Sequence, residues 1–323
     1  MGDVAMLPHA IRALKSAYPE VKVTIATRKL FEPFFAGLDV EILPVEKSDY
    51  DGWKNIRAFA RKMKAMGIDA FADTHNVWRT MFVRMWLWLC GMRTAKLDKG
   101  RIEKWFRVGH NSQNSVPLKH TVVRYCDVLR KMGFEFEDPA PAVKREVVNP
   151  MGEKSGLWVG FAPFSAHEGK TYPEDMRVEA VRLMSERYAR VFIHSGGGDE
   201  AKFARQMESE YENVTALNGK VDLGGELNLM SHLDCIVSMD SLAMHMASLV
   251  AVPVVSVWGA THPALGFLGW GCSTEGILQE EMPCRPCSVY GNKPCDSGDY
   301  KCLRCITPEM IVAKIDELIA PKE

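Results

Sequence analysis

Asp234-Cys-Ile-Val-Ser-Met-Asp-Ser-Leu-Ala-Met-His-Met-Ala-Ser-Leu-Val-Ala-Val-Pro-Val-Val-Ser-Val-Trp-Gly-Ala-Thr-His-Pro263 is the stretch that decides how this chain folds. Cys235-Ile236-Val237 is too short for a helix and rich in β-branched residues, so it reads as a buried parallel strand. Asp240 and Ser241 follow at once, and both residue types cap helix starts. Leu242, Ala243, Met246, Ala247 and Leu249 then recur at helical spacing, with His245 one turn above Ser241. A second apolar run, Val252 to Trp258, gives another strand, and Gly259-Ala260-Thr261 turns out of it ahead of Pro263. In an open parallel sheet, ligands sit beyond the carboxyl ends of the strands, so both turns face one pocket. Free N–H groups at the start of the Leu242 helix, with the Ser241 and Thr261 hydroxyls, suit the oxygens of a phosphate or diphosphate. From periodicity alone, a capped helix and an ordinary loop in some α/β domain is the better reading.

The composition bounds the function. A length of 323 residues suggests about two domains, and 47% hydrophobic with 25% charged residues is the balance of a globular chain. Forty Lys and Arg against 41 Asp and Glu leave a net charge of −1, which argues against a general nucleic-acid binder, so attraction to an anionic partner has to be local. The start lacks a basic segment followed by an apolar one, and there is no long apolar run. The chain reads as cytoplasmic, with any membrane contact peripheral, on the inner face of the cytoplasmic membrane.

Strand and helix signals alternate along the first half: an amphipathic helix with Ile11, Leu14 and Tyr18, then strands at Val21–Ile25, Glu41–Val45 and Ile68–Asp73, with a helix from Asn55 to Met66. Right-handed crossovers would wind these into one sheet. Thr74-His75-Asn76-Val77-Trp78-Arg79 lies at a strand end, where ligand-binding groups are delivered, although a solvated loop is the plainer reading of His75. Met81 to Leu89 forms a strongly apolar helix, and its tryptophans read as core. Six cations follow within fifteen residues, among them Lys99, Arg101 and Lys104. With Arg79 they are candidates for the phosphates of an anionic, lipid-linked acceptor. Asn149-Pro150-Met151-Gly152 reads as a hinge, dividing the chain into 1–150 and 151–323.

The second half opens with a strand, Leu157–Ala162, and a polar turn holding Ser165 and Lys170. Val191–Ser195 is the next strand. Gly196-Gly197-Gly198 allow close backbone approach, and Glu200 shortly after can accept from ribose hydroxyls, with Asp199 the rival and a helix cap the plain alternative. Cys284-x2-Cys287 and Cys302-x2-Cys305 carry the spacing of a four-thiolate zinc knob, with free thiols or disulfides as the alternatives. Thr307 to Ile319 closes the chain as a capped amphipathic helix.

Asp-Ser-x-x-x-His at 240–245, the apolar strand after Val252-Pro253, and Gly-x-Thr-x-Pro at 259–263 resemble the C-terminal signature of glycosyltransferase family nine, the ADP-heptose:lipopolysaccharide heptosyltransferases. The resemblance covers nearly the whole chain. It implies an α/β protein of the GT-B fold, two facing Rossmann-like domains closed by a C-terminal helix, the first holding an acceptor and the second a nucleotide sugar. It implies an inverting glycosyl transfer, with ADP-L-glycero-D-manno-heptose as donor and a lipid-linked lipopolysaccharide core as acceptor. Asp3, in a Gly-Asp turn followed by Pro8, matches the family's general base. The family's preceding strand is absent, so the natural product is expected to begin roughly ten residues upstream. Ser165 and Lys170 match donor-phosphate residues, although Tyr172 stands where many members carry Trp. Lys170 neutralises the departing diphosphate, so the chemistry requires no metal. Cys284, Cys287, Cys295 and Cys302 fit the family's cysteine pattern, and Cys305 is an extra. The alternatives are a GT-B epimerase acting on UDP-N-acetylglucosamine, and a non-catalytic module binding anionic lipid.

Overall fold

A computed structural model describes residues 1–109 and 116–321, apart from the side chains of Lys47 and Tyr50. The chain forms two compact units, one of residues 3–101 with 121–140, the other of residues 1–2, 102–120 and 141 onward. The single division expected at 150 is therefore replaced by a chain that passes between the units several times.

In the smaller unit, α1 (Gly2–Ala17) starts at Gly2, where the sequence suggested a turn, and runs through Pro8. Burial of Ala5, Met6, His9, Ala10, Ile11 and Leu14 outweighs the main-chain bond that Pro8 cannot make. β1 (Thr24–Thr27) pairs in parallel with β2 (Glu41–Pro44). After α2 (Trp53–Ala65) come β3 (Ala70–Asp73), α3 (Trp78–Leu89) and β4 (Arg93–Lys96), with β3 and β4 again parallel. The expected continuous sheet is thus two separate two-stranded ribbons. Ile56, Ala60 and Met63 of α2 pack on Val83 and Leu87 of α3. Of the tryptophans expected in this core only Trp86 packs against it, while Trp78 and Trp88 face solvent with Met81, Met85 and Leu89. α4 (Arg101–Trp105) lies at the passage between units, and α5 (Thr121–Arg130) returns to this one.

The larger unit is built on six parallel strands: β5 (Trp158–Ala162), β6 (Arg190–Ile193), β7 (Val214–Ala216), β8 (Cys235–Met239), β9 (Val254–Trp258) and β10 (Ile277–Gln279). Helices α6 (Glu174–Arg187), α7 (Asp199–Glu210), α8 (Leu223–Met230) and α9 (Leu242–Leu249) connect them, and α10 (Lys301–Arg304) and α11 (Pro308–Ile319) follow. Thr307 caps α11, its hydroxyl accepting the Met310 N–H at 3.4 Å. The strand order is β10-β9-β8-β5-β6-β7. Its direction reverses between β5 and β8, with Val159 opposite Cys235 and Ala162 opposite Ser238. Every residue of β5, β8 and β9 is buried, as strands covered on both faces require. This is Rossmann order, and the crevice at its reversal lies beyond Ala162 and Met239.

Candidate active site

The loops leaving β5, β8 and β9 meet on one carboxylate. Asp240, 6% exposed, accepts the Thr261 hydroxyl proton on Oδ2 at 2.8 Å, and the Lys170 ammonium stands 3.4 Å from the same oxygen. The Ser165 hydroxyl donates to the Asp240 main-chain carbonyl at 3.3 Å. Ser241 is the N-cap of α9, its Oγ 3.3 Å from that of Ser238, and Leu242 is the first helical residue. His245 is buried one turn on. Lys170, Ser241 and Thr261 are thereby brought together at the sheet's reversal. The single hydroxyl proton of Thr261 is directed at Asp240 and orients that carboxylate.

Several groups that the sequence did not single out fix this geometry. The N–H of Ala260 donates to Gly169 O at 2.8 Å, zipping the Lys170 loop to the Thr261 loop. A Cβ on Gly259 would come within 2.5 Å of Gly169 O, so the close approach requires glycine there. The Thr171 hydroxyl donates within the turn, with the Ser165 and His167 carbonyls both at 3.2 Å. Arg285, 1% exposed, donates to Trp258 O at 3.2 Å, Thr261 O at 2.9 Å, Gly259 O and Glu280 O. A buried guanidinium thus holds the carbonyls of the Thr261 loop. Nothing in the sequence distinguishes Arg285 from a surface arginine. His262 accepts the Ala264 N–H on Nδ1 at 3.0 Å, and burial, then the Arg285 cation, lowers its pKa.

Glu200 lies in the first turn of α7 and accepts the Gly196 N–H at 2.7 Å, bracing the glycine loop. Asp199 is exposed and paired with Lys202. Cys284, Cys287, Cys302 and Cys305 are free thiols, Cys284 exposed and Cys302 buried. Among the described residues no group of three or more His, Cys, Asp or Glu side chains is placed to hold a metal ion. The buried Arg285 cation interacts with Cys284, Cys287 and Cys302, so positive charge already stands among these thiols. Burial, reinforced by Cys284 and Cys302, pushes the Cys287 thiol up to about 11.

A second polar cluster belongs to the smaller unit. Asp73, at the end of β3, is buried, pairs with Arg84 at 3.1 Å and accepts the Asn76 N–H at 2.7 Å. This turn presents His75. The His75 pKa lies below its ordinary value, first through partial desolvation and then through the Lys99 cation, while Asp3 and Asp73 pull it upward. Desolvation likewise lowers Lys99, which Asp3 raises and Arg101 lowers. Asp3, Asp73, His75, Lys99 and Arg101 therefore share one electrostatic neighbourhood. Asp3 is exposed in the first turn of α1, and its main-chain carbonyl accepts the Tyr125 hydroxyl at 3.1 Å. Arg79 stands 5.0 Å over the Trp78 ring. Lys104 does not fit its expected part: it is 3% exposed, with the ammonium 3.9 Å from the Phe267 ring centroid.

Comparison with known proteins agrees with this geometry. The profile of glycosyltransferase family 9 (heptosyltransferase) matches residues 56–295. Lipopolysaccharide heptosyltransferase 3 of Escherichia coli K12 is 22% identical, over 98% of this chain and 95% of that protein. Among solved structures, a family 9 glycosyl transferase from Veillonella parvula superposes with a TM-score of 0.72 at 17% identity, covering 98% of this chain and 94% of that one. The E. coli heptosyltransferase WaaC with ADP superposes with a TM-score of 0.68 at 18% identity, over 98% of this chain and 96% of that one. At these identities the structural likeness speaks to the fold.

Proposed function

This chain belongs to glycosyltransferase family 9, and on that premise we propose that it transfers a heptose from ADP-L-glycero-D-manno-heptose to a lipid-linked saccharide of the lipopolysaccharide core, with inversion at the anomeric carbon. The observation that carries the proposal is the ammonium of Lys170, held by Asp240 beside the N-terminus of α9 at the reversal of a parallel sheet. The relatives support the sugar and acceptor by name, and the WaaC structure with ADP supports the nucleotide.

The six-stranded unit holds the donor. Lys170 and the main-chain N–H groups opening α9 stabilise the charge that develops on the departing diphosphate. Glu200 keeps the glycine loop in place for the nucleoside. The smaller unit serves the acceptor: Lys99 and Arg101 offer positive charge to its phosphates, and the Asp3 carboxylate takes the proton of the attacking hydroxyl. The hydroxyl oxygen then bonds to the anomeric carbon from the face opposite the diphosphate, whose glycosidic C–O bond breaks with its electron pair leaving on the phosphate oxygen.

Isothermal calorimetry with ADP, UDP, GDP and CMP tests the donor site. Micromolar or tighter binding of ADP, with the others weaker, is expected. If none of the four binds, the transferase reading fails.

A further inference from the structure

The face of α3 is inverted relative to an ordinary surface helix. Trp78, Met81, Met85, Trp88 and Leu89 are exposed, Trp88 at 63% and Leu89 at 68%, while Val83 and Leu87 are buried. At roughly 100° per residue the five exposed side chains fall within one arc of about 100°, so they form a continuous apolar stripe. α2 lies alongside. Trp53, 56% exposed at its start, meets Phe82 edge-on at 5.0 Å, and the Arg57 guanidinium lies 5.1 Å over Trp86. The exposed polar residues of α2 include Lys54, Arg57, Arg61, Lys62 and Lys64, and neither helix contains an Asp or Glu. A cavity of about 400 Å³ opens at the end of the stripe, lined by Trp88, Met92, Arg93, Lys131 and Met132 among others.

Soluble surfaces rarely expose a contiguous apolar patch of this kind without a partner for it. The charge identifies the partner. Two copies meeting through this face would set cation against cation, whereas an anionic bilayer complements both halves of the pattern. Lysine and arginine meet lipid phosphates, and tryptophan rests at the boundary between headgroups and acyl chains. Among the described residues no helix is long and apolar enough to cross a membrane, so contact through this face is peripheral.

We propose that the α2–α3 face docks this protein on an anionic lipid bilayer, with the tryptophan and methionine stripe of α3 entering the headgroup boundary and the cations of α2 pairing with lipid phosphates. The inference deepens the reading above, since an acceptor carried on lipid has to be met at a bilayer surface. It rests on that reading for its purpose and on the exposed face for its substance.

The test is flotation of the full chain with vesicles of phosphatidylethanolamine and phosphatidylglycerol, compared with vesicles of phosphatidylcholine alone. The wild type is expected to float with the anionic vesicles and to release in high salt. The double variant W78A/W88A should lose partitioning about tenfold or more, and R57E/R61E/K64E should lose the preference for anionic lipid, with ADP binding and thermal midpoint unchanged in both. Equal flotation with the two vesicle types, or a double variant that partitions as the wild type does, overturns the proposal. So does a lipid-independent dimer in sedimentation that W78A/W88A converts to monomer. Failure of ADP to bind while flotation persists would instead strike only the transferase reading.

Discussion

The ammonium of Lys170 lies 3.4 Å from the carboxylate of Asp240, and both side chains are largely shielded from water. The lysine is consequently positioned before a donor arrives, and a diphosphate supplies a further anion to a cation already in place. Lys170→Met should lower the transfer rate about a hundredfold, the scale for losing one group that stabilises developing charge. It should also cost about 1–3 kcal/mol of stability, because Asp240 is left with one fewer partner. Initial-rate measurements with ADP-heptose and a thermal melt check the two effects separately.

Arg285 supports the opposite side of the same site. Replacing it with Met leaves the Trp258, Gly259 and Thr261 carbonyls without their shared donor, and should destabilise the larger unit by about 3 kcal/mol. At roughly 2–4 °C per kcal/mol for a domain of this size, the thermal midpoint falls by about 6–12 °C. Arg285→Lys should recover only part of this, since one ammonium cannot reach carbonyls spread around a planar fork. Full recovery by lysine would show that charge alone matters.

His75 reports on the acceptor-side cluster. Its folded pKa lies below the ordinary value of 6.5. The unfolded chain therefore takes up this proton first as the pH falls. Stability associated with neutral His75 is present above about 6.5 and is lost as the pH drops below it toward the folded value. In an NMR titration Lys99→Met should move the His75 midpoint up, and Asp3→Asn should move it further down. Shifts of the same sign in both variants would show that the three groups are not neighbours.

The thiols should divide by reactivity. The Ser297 hydroxyl, 3.3 Å from Cys295 Sγ, lowers that thiol's pKa, whereas burial pushes Cys126, Cys235 and Cys272 up to about 12. Because the thiolate is the nucleophile, iodoacetamide at about pH 8 should alkylate Cys295 well before those three. Mass spectrometry of timed digests gives the order. Early labelling of Cys235 would mean that the sheet opens.

The donor half of the fold is legible in the sequence because its signals are local and agree with one another. The bounds of α9, Leu242–Leu249, coincide with those read from its periodicity, and β8 and β9 follow from apolar runs broken only by Ser238 and Ser256. Lys170 and Thr261 are legible as neighbours because strand ends converge. The hydrogen bond from Thr261 to Asp240 is not, since a hydroxyl's donor direction depends on which oxygen stands nearest. β4 is hidden because Arg93-Thr-Ala-Lys96 lacks any apolar alternation. Trp78 and Trp88 read as core in the sequence because a helical stripe of apolar residues looks the same whether it faces inward or outward. Only the partner face of α2, apolar at Ile56, Ala60 and Met63, decides which side is buried. Arg285 leaves no periodic signal at all, and its importance lies in carbonyls contributed from elsewhere in the chain.

The bare contact between Gly169 and Gly259 has a practical corollary. Because no side chain separates those two backbones, the segments bearing Lys170 and Thr261 cannot drift apart independently. An inhibitor scaffold aimed at this crevice should accordingly be rigid. Groups meant to meet Lys170 and Thr261 can be spaced for the one separation that the bond from Ala260 to Gly169 holds.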